Sequence, residues 1–367
     1  MHAEGRLRVI QWGTGNAGRP ALRAMIGRPD LELVGVHAHS ADKVGRDAAE
    51  LCGLDAPTGV VATDDIDALL ALDADCVSYM VQGETRIRAT VEELCRALAS
   101  GKNVVNTSLV FLVYPPFVDA GMRSVLEQAC EEGQSTLLTS GFDPGWSGDI
   151  LPLVLASVCE RVDSISVLEA MDYSTYPDPD FTGVFFGFGR PLDYAAPLFA
   201  PGAVTGGWGG MVHMVADALG WEIEAMHEHT DRLPAPETFE TAMGTIEQGT
   251  CAAVRFELRG IVGGRPAVTA AHVNRLRADI GPDWPALSDN RSGYRIQVDG
   301  SPSYTCEIEP RGAGGDHNEA GILGTAMRMV NAIPAVCAAA PGLVTPLDLP
   351  VFTALGRGAQ RSDPGGR

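Results

Sequence analysis

Hydrophobic and polar positions in the first third of the chain alternate between short apolar runs and helix-like segments. Apolar runs of strand length occur at Leu7–Trp12, Leu31–Ala38, Gly59–Ala62, Cys76–Val81, Asn103–Thr107 and Ser135–Ser140. Helical patterns lie between them, up to Ile26, at Asp64–Leu72, at Arg86–Ala99 and from Pro116 to about Gly133. Strands that alternate with helices in this way predict a parallel, doubly wound sheet.

After Gly141 the regular alternation of strands and helices ends, and the pattern predicts a region that contains both helices and consecutive strands. Helices are expected at Ser147–Cys159 and Met211–Leu219, and a strand at Val162–Met171. Four further strand candidates follow with short connections, at Ala252–Ile261, Ala267–Leu276, Gly293–Val298 and Ser303–Ile308. Because short connections join antiparallel neighbours, this half predicts a mainly antiparallel sheet. A last helix is expected at Asp316–Ala332.

These patterns predict an α/β protein with an N-terminal Rossmann domain and a second α+β domain. We expect residues 1–145 to bind a dinucleotide, and residues 146–315 to hold the substrate and form a dimer interface. Residues 316–356 are expected to be a helical segment that packs back on the Rossmann domain. The Gly-, Arg- and Ser-rich residues 357–367 are expected to be disordered.

Composition and charge exclude several classes of protein. The chain has 367 residues, of which 45% are hydrophobic and 20% charged, and this is ordinary for a globular protein. Its first residues lack the apolar segment of a signal peptide, and no apolar run approaches the roughly 18 residues of a membrane helix. We therefore expect a cytoplasmic protein without membrane contact. A formal net charge of −20 argues against nucleic acid as a partner.

Cysteine and histidine spacing gives no indication of a metal site. None of the eight cysteines forms a CxxC pair, and most lie in apolar segments, which favours reduced core thiols. His227 and His229 form an HxH pair, but no cysteine or third histidine lies near them in sequence. We expect no metal.

A glycine-rich motif follows the first predicted strand. It has the pattern G-x-G-x-x-G and consists of Gly13, Thr14, Gly15, Asn16, Ala17 and Gly18. The first glycine permits a tight turn, the second lets the backbone approach a pyrophosphate, and the third lets helix and strand pack closely. The position between a strand and a helix favours dinucleotide binding over a glycine turn without a ligand.

The end of the second predicted strand bears on the type of cofactor. A carboxylate there would bind the ribose 2′-hydroxyl of NAD, but the strand ends at His39 and Ser40, with Lys43 and Arg46 beyond. Ser40 and Lys43 suit a 2′-phosphate, so NADP is favoured and NAD is the alternative. Lys43 and Arg46 are also explained by a solvated helix face.

Four segments resemble a known family. The run at 8–18, RVIQWGTGNAG, resembles the start of dihydrodipicolinate-reductase-like proteins. The 2,4-diaminopentanoate dehydrogenase-like group, which includes native amine dehydrogenases, is resembled at 36–47, at 141–153 and at 330–343. The resemblance spans about Leu7 to Leu355. It implies a nicotinamide-dependent enzyme that interconverts a small amine and its carbonyl or imine form.

The chain departs from these relatives at informative positions. The His-His-x-x-Lys segment of dihydrodipicolinate reductases is absent, which argues against a role in lysine biosynthesis. The resemblance also implies a glutamate after the fifth strand, but the chain reads NTSLVF at 106–111 and has no acid between Glu93 and Asp119. The family's asparagine before Pro-Gly is Asp143 here.

Candidate catalytic and pocket residues follow from strand ends and from the aromatic-rich stretch after 172. As proton donors or acceptors we propose Asp143, Glu169 and Tyr173. The candidate substrate pocket consists of Asn106, Ser108, Trp146, Tyr176 and His272. Thr107 is expected to contact the nicotinamide, and the resemblance implies a cofactor contact for Asn331. Each position also has an ordinary structural explanation: a turn, a solvated strand end, a core histidine or a helix cap.

The leading hypothesis is an NAD(P)H-dependent oxidoreductase that acts on a small, fairly apolar amine and carbonyl pair. One alternative is a ketone, aldehyde or imine reductase that does not use ammonia. Another, from a different class, is a non-catalytic NADP-binding sensor or scaffold. We also expect a homodimer, since sheets in two-domain dehydrogenases commonly bury a face in a twofold partner.

Overall fold

The computed structural model of the protein describes residues 5–176 and 178–356, so the predicted tail at 357–367 lies outside the described residues. The chain divides into two compact units. The first comprises the residues up to Gly141 together with those from Ile322 onward, and the second comprises Phe142–Gly321.

Strands and helices alternate through most of the first unit, whereas strands predominate in the second. The strands are β1 (Leu7–Trp12), β2 (Leu31–His37), β3 (Ala62–Thr63), β4 (Cys76–Tyr79), β5 (Asn103–Asn106), β6 (Thr136–Thr139), β7 (Arg161–Asp172), β8 (Ala225–Pro234), β9 (Phe239–Thr241), β10 (Gly244–Ile246), β11 (Cys251–Val262), β12 (Arg265–Arg275), β13 (Gly293–Ser301), β14 (Tyr304–Ile308) and β15 (Gly342–Val344). The helices are α1 (Gly18–Gly27), α2 (Ala48–Cys52), α3 (Ile66–Leu70), α4 (Ile87–Ala99), α5 (Ala120–Gly133), α6 (Ile150–Ala156), α7 (Pro179–Phe181), α8 (Ala203–Ala218) and α9 (His317–Ala338).

The first unit is built on a seven-stranded sheet in the order β15-β6-β5-β4-β1-β2-β3. Every neighbouring pair runs parallel, which confirms the predicted doubly wound sheet. The third strand is shorter than predicted, because only Ala62 and Thr63 pair with β2. The apolar pattern did not predict β15, which extends the sheet beside β6.

From Ile322 onward, helix α9 is part of the first unit. Its buried residues Met329 and Ile333 pack with Val9 and Leu138 of the sheet. Among the described residues, α9 is the one helix long and apolar enough to cross a membrane, judged by length and composition alone. The apolar side of α9 packs in the core of the first unit.

Helix α9 is longer than the sequence predicts. The prediction ended the helix at Ala332, before Pro334, whereas the helix continues through this proline to Ala338. An internal proline costs about 3 kcal/mol because it removes one backbone hydrogen bond. Ile333 and Val336 are fully buried on either side of it, and their packing offsets that cost.

The second unit contains a six-stranded sheet in the order β14-β13-β7-β12-β11-β8. Its pairs are antiparallel except that β7 and β12 run parallel, so the predicted mainly antiparallel sheet is confirmed. The strand β8 was not predicted. It is an edge strand with mostly exposed polar residues, and so it lacks the alternation that reveals a half-buried strand.

Helix α8 packs on one face of this sheet, over β11 and β12. The core beneath it includes Phe256 and Leu258 from the sheet and Met211 from the helix. A side chain on Gly260 would lie 2.7 Å from Val212 Cγ1, so the glycine lets the helix approach closely. The helix begins earlier than predicted, because four glycines in its first half weaken the helical pattern.

Candidate active site

The glycine motif of the first unit forms a loop with room for a phosphate group. Gly13 has a φ of +93°, and a Cβ there would collide with the Met80 carbonyl oxygen. A Cβ on Gly18 would collide with the Gly13 carbonyl oxygen, whereas a Cβ on Gly15 would meet no atom within 4 Å. Two glycines are therefore required for packing, and the third leaves open space at the N-terminus of α1. This arrangement fits the pyrophosphate of a dinucleotide.

Polar groups from the end of β2 lie beside this loop. Lys43 Nζ donates a hydrogen bond of 3.2 Å to the Thr14 carbonyl oxygen. Ser40 is half-buried and His39 is exposed. By contrast, Arg46 pairs with Glu50 one turn along the chain, as expected of a solvated helix face. Lys43 thus places a positive charge at the glycine loop, whereas Arg46 is paired with Glu50.

The loop after β5 is fastened by its own polar side chains. Asn106 Nδ2 donates to the Ser108 carbonyl oxygen at 2.6 Å and to Thr139 Oγ1 at 2.9 Å, and Ser108 Oγ donates to the Val81 carbonyl oxygen. Both residues are almost fully buried. The side chains of Asn106 and Ser108 thus form hydrogen bonds within the protein. Thr107, which lies between them directly after β5, is half-buried.

Asn331 lies at a different place in the first unit. Its Oδ1 accepts a 2.7 Å hydrogen bond from Arg28 Nη1. Arg28 caps the C-terminal end of α1, a ten-residue helix whose other end carries the glycine loop. At 1.5 Å per residue the two ends are about 15 Å apart, so Asn331 lies away from the glycine loop, and its expected contact with the nicotinamide stays a prediction.

The second unit brings Asp143, Glu169 and His272 together beneath α8. His272 Nε2 lies 3.4 Å from Asp143 Oδ1, and His272 Nδ1 lies 3.4 Å from Glu169 Oε1. Their side chains are 5%, 1% and 7% exposed for His272, Asp143 and Glu169. The imidazole is therefore enclosed between two buried carboxylates, and we call these three residues the buried triad.

Hydrogen bonds hold both carboxylates of the buried triad in place. Asp143 accepts from Trp208 Nε1 at 3.1 Å and from Ser147 Oγ at 3.2 Å. Glu169 Oε1 accepts from Asn274 Nδ2 at 2.7 Å and from the Tyr173 hydroxyl at 3.3 Å. The donors to Glu169 favour the ionised form of its carboxylate.

Aromatic rings enclose the histidine of the triad. The Phe256 ring stacks on His272 with centroids 4.4 Å apart, and the Trp208 ring meets it edge-on at 4.8 Å. Burial alone lowers the pKa of His272, but the charges of Asp143 and Glu169 outweigh it and raise the pKa to about 10. Burial raises the pKa of Glu169, yet His272 and the hydrogen bond from Asn274 bring it below its usual value.

Because its pKa is raised to about 10, the imidazole of His272 is protonated at neutral pH. Enclosed between two buried carboxylates, it stores a proton away from water. Burial, together with the charge of Glu169, raises the pKa of Tyr173 well above 10, which keeps its hydroxyl a hydrogen-bond donor.

The remaining predicted pocket residues of the second unit, Tyr176 and Trp146, take part in aromatic contacts. The Tyr176 ring stacks on that of Tyr173 at 5.0 Å. Trp146 meets the Phe142 ring edge-on at 5.3 Å, and Phe142 lies 4.7 Å from the ring of Tyr294. All of these aromatic contacts belong to the second unit.

Sequence reasoning missed Trp208, Asn274 and Tyr294. Asn274 could have been found, because alternation along β12 places it on the same face as His272. Tyr294 lies opposite Glu169 in the pairing of β13 with β7, and this register is not visible in the sequence. Trp208 lies in the glycine-rich part of α8, which was not predicted to be helical.

Within the described ranges, no group of three or more His, Cys, Asp or Glu side chains is arranged to hold a metal ion. His227 and His229 are on the edge strand β8, where both are exposed. All eight cysteines lie within these ranges and are free thiols.

Comparisons with known proteins agree with this architecture. Residues 147–362 match the family model of the 2,4-diaminopentanoate dehydrogenase C-terminal domain. The chain is 39% identical to an amine dehydrogenase of Streptomyces virginiae, over 95% of this chain and 98% of the relative. It is 23% identical to 2,4-diaminopentanoate dehydrogenase of Acetoanaerobium sticklandii, over 95% of both chains.

Among solved structures, the fold is similar to that of an amine dehydrogenase from Mycobacterium smegmatis. The TM-score is 0.78 at 21% identity, and the match covers 97% of this chain and 99% of the other. Both units therefore have counterparts in one known fold.

Proposed function

Because the chain belongs to the 2,4-diaminopentanoate dehydrogenase family and is a nicotinamide-dependent oxidoreductase, we propose that it is an amine dehydrogenase for a small, fairly apolar amine. The reaction would interconvert this amine with its carbonyl compound and ammonia. The observation that carries the proposal is the buried triad, in a chain that is similar over its whole length to an amine dehydrogenase.

The first unit has the features that would hold the cofactor. The loop at Gly13–Gly18 and the N-terminus of α1 would bind the pyrophosphate, and Ser40 and Lys43 would bind a 2′-phosphate, so we propose NADP rather than NAD. When bound, the nicotinamide supplies or accepts the hydride. Thr107, at the end of β5, would contact the nicotinamide end.

The buried triad would supply the proton that is needed when the carbonyl oxygen of the substrate leaves as water. Reductive amination removes the carbonyl oxygen as water, and this requires a proton donor. We assign Asp143 as the group that delivers the proton to the substrate and His272 as the store that replaces it. Glu169 and Tyr173 would be positioning residues. Glu169 contacts the imidazole of His272, and the Tyr173 hydroxyl donates a hydrogen bond to Glu169.

Domain roles and assembly are part of the same proposal. Residues 1–145 would bind the dinucleotide, residues 146–315 would bind the substrate and form the dimer interface, and residues 316–356 would complete the Rossmann domain. A cytoplasmic homodimer would have twice the 38.7 kDa mass of the chain. Light scattering that detects only the 38.7 kDa species contradicts the dimer.

The test is oxidation of NADPH and NADH with a panel of ketones and aldehydes, with and without high ammonium, at pH 7 and pH 9. Oxidation that requires ammonium supports an amine dehydrogenase. Oxidation without ammonium indicates a carbonyl reductase. Cofactor binding without any oxidation leaves a non-catalytic NADP-binding protein as the better description.

A further inference from the structure

Two loops at the carboxyl edge of the first sheet are packed tightly against each other. One follows β4 and the other follows β5. A Cβ on Gly83 would lie 3.0 Å from Ser108 Cβ and 3.1 Å from Leu109 Cδ2, closer than most side-chain contacts, so the two loops are tightly packed there. The Ser108 hydroxyl also donates to the Val81 carbonyl oxygen. The residue after Gly83 is therefore held at a defined position beside the β5 loop.

That next residue is Glu84, and its carboxylate fixes an unusual backbone conformation. Leu109 has φ 55° and ψ 67°, the left-handed region that a residue with a side chain rarely adopts. Its amide donates a 3.0 Å hydrogen bond to Glu84 Oε1. Backbone conformations of this kind persist where the surrounding structure holds them, and they cluster at functional sites.

The position of Glu84 in the fold is that of the nicotinamide half of a dinucleotide site. In a doubly wound sheet the ligand lies across the carboxyl ends of the strands, with the pyrophosphate at the first glycine loop and the nicotinamide over the second half of the sheet. Here that half consists of β4, β5 and β6. The β4 loop also adjoins the glycine loop, because a Cβ on Gly13 would lie 2.8 Å from Val81 Cγ1.

Glu84 is also the only acidic residue in the two loops that follow β4 and β5. Residues 80–91 and 107–118 contain no other aspartate or glutamate. The side chain is half-buried, so it is neither enclosed in the core nor fully solvated. Leu109 uses one carboxylate oxygen, and Oε2 is the second.

We propose that Glu84 is a catalytic residue that binds the substrate nitrogen and exchanges its proton, an inference that rests on the proposed amine dehydrogenase function. In amine oxidation, Glu84 takes one proton from the ammonium group and becomes a carboxylic acid. The carbon–hydrogen bond then breaks, and hydrogen leaves with the electron pair as hydride to the nicotinamide. The nitrogen lone pair forms the carbon–nitrogen double bond of an iminium ion. In the reverse direction Glu84 returns the proton to the amine.

Two variants distinguish proton exchange from simple support of the loop. In Glu84→Gln, the amide oxygen still accepts the hydrogen bond from Leu109, but the side chain has no charge and takes no proton at neutral pH. In Glu84→Ala, both the hydrogen bond and the carboxylate are lost. The matched control is Glu92→Gln, which removes an exposed carboxylate that pairs with Arg88 on α4.

The measurement is NADPH oxidation by the wild-type protein's best ketone or aldehyde as ammonium chloride is varied. For Glu84→Gln we expect kcat/KM for ammonium to fall by about 100-fold or more, the range in which general acid–base groups contribute. The melting temperature and NADPH binding, followed by nucleotide fluorescence, should be unchanged. In this direction Glu84 acts as the acid, so the loss of kcat that follows its ionisation as the pH rises should be absent in Glu84→Gln and retained in Glu84→Asp and Glu92→Gln.

Wild-type turnover in Glu84→Gln, with loss only in Glu84→Ala, would show that Glu84 merely supports the loop and would overturn the proposal. If the wild-type protein itself oxidises NADPH without any need for ammonium, the amine dehydrogenase function fails and the role of Glu84 fails with it. The two failures are distinguished because the first is seen only in the variant and the second in the wild type.

Discussion

His272 lies directly opposite Glu169 in the parallel pairing of β12 with β7, and the two side chains meet 3.4 Å apart on the covered face of the sheet. Asp143 completes the contact from the other side of the imidazole. Three ionisable groups are thus buried side by side, and a protonated His272 places its positive charge against both carboxylates.

The triad predicts a large loss of stability when its cation is removed. His272→Gln leaves two buried carboxylates without a positive partner, and removing one partner of a buried ion pair typically costs about 3–5 kcal/mol. Urea unfolding should show a lower free energy of unfolding for this variant. His229→Gln, on the same sheet but exposed, is the control and should match the wild type. Equal stability of the two variants would contradict the charge balance described here.

The same histidine predicts how stability depends on pH. Although burial opposes it, the charges of Asp143 and Glu169 raise the pKa of folded His272 to about 10, compared with 6.5 for an unperturbed histidine. The folded state therefore binds this proton more tightly than the unfolded state does. The resulting stabilisation is complete below pH 6.5 and is lost as the pH rises toward 10. Unfolding free energies measured from pH 6 to pH 10 should fall more steeply for the wild type than for His272→Gln.

Cofactor preference should depend on Lys43 and not on Arg46. Lys43→Ala removes the ammonium that contacts the glycine loop, so NADPH binding should weaken about tenfold or more while NADH binding changes little. Arg46→Ala removes only a partner of Glu50 and should leave both affinities as they are. Fluorescence titrations with each nucleotide make the comparison. A loss of NADPH affinity that is equal in the two variants argues against a specific role for Lys43.

Substitutions at two glycines of the motif should affect different properties, cofactor binding in one case and stability in the other. Gly15→Val places a side chain in open space, so the protein should fold normally but lose NADPH binding, because the side chain occupies the phosphate site. Gly18→Ala brings a methyl group onto the Gly13 carbonyl oxygen, so its melting temperature should fall. Calorimetry and nucleotide titration of both variants separate the two effects. Normal NADPH binding by Gly15→Val would contradict the position assigned to the pyrophosphate.

The fold was predictable from the sequence where the signal is local. Apolar runs and helical periods identified the parallel sheet of the first unit, and the glycine motif lies where the pattern placed it. The edge strand β8 was missed because exposed polar residues on both faces carry no alternation. The extension of α9 beyond Pro334 was missed because tertiary packing there outweighs the local effect of a proline.

The candidate site was predictable only in part. Asp143, Glu169, Tyr173 and His272 were each recognisable as chemical groups. The register of β7 with β12 places Glu169 beside His272, and the tertiary structure brings Asp143 to the same imidazole, and the sequence shows neither contact. The contact of Glu84 with Leu109 was equally hidden, because it joins loops that are 25 residues apart in the chain. The cofactor contact of Asn331 rests on resemblance alone and stays a prediction, and the structure shows its side chain bonded to Arg28.

The dependence of NADPH oxidation on ammonium tests whether this protein is an amine dehydrogenase. With a small, apolar ketone or aldehyde as the carbonyl substrate, we predict oxidation that rises with ammonium concentration, saturates and is negligible without ammonium. The amine formed should be detectable in an amount equal to the NADPH consumed. Oxidation at the same rate without ammonium, with an alcohol as the product, would contradict the proposal that this protein is an amine dehydrogenase.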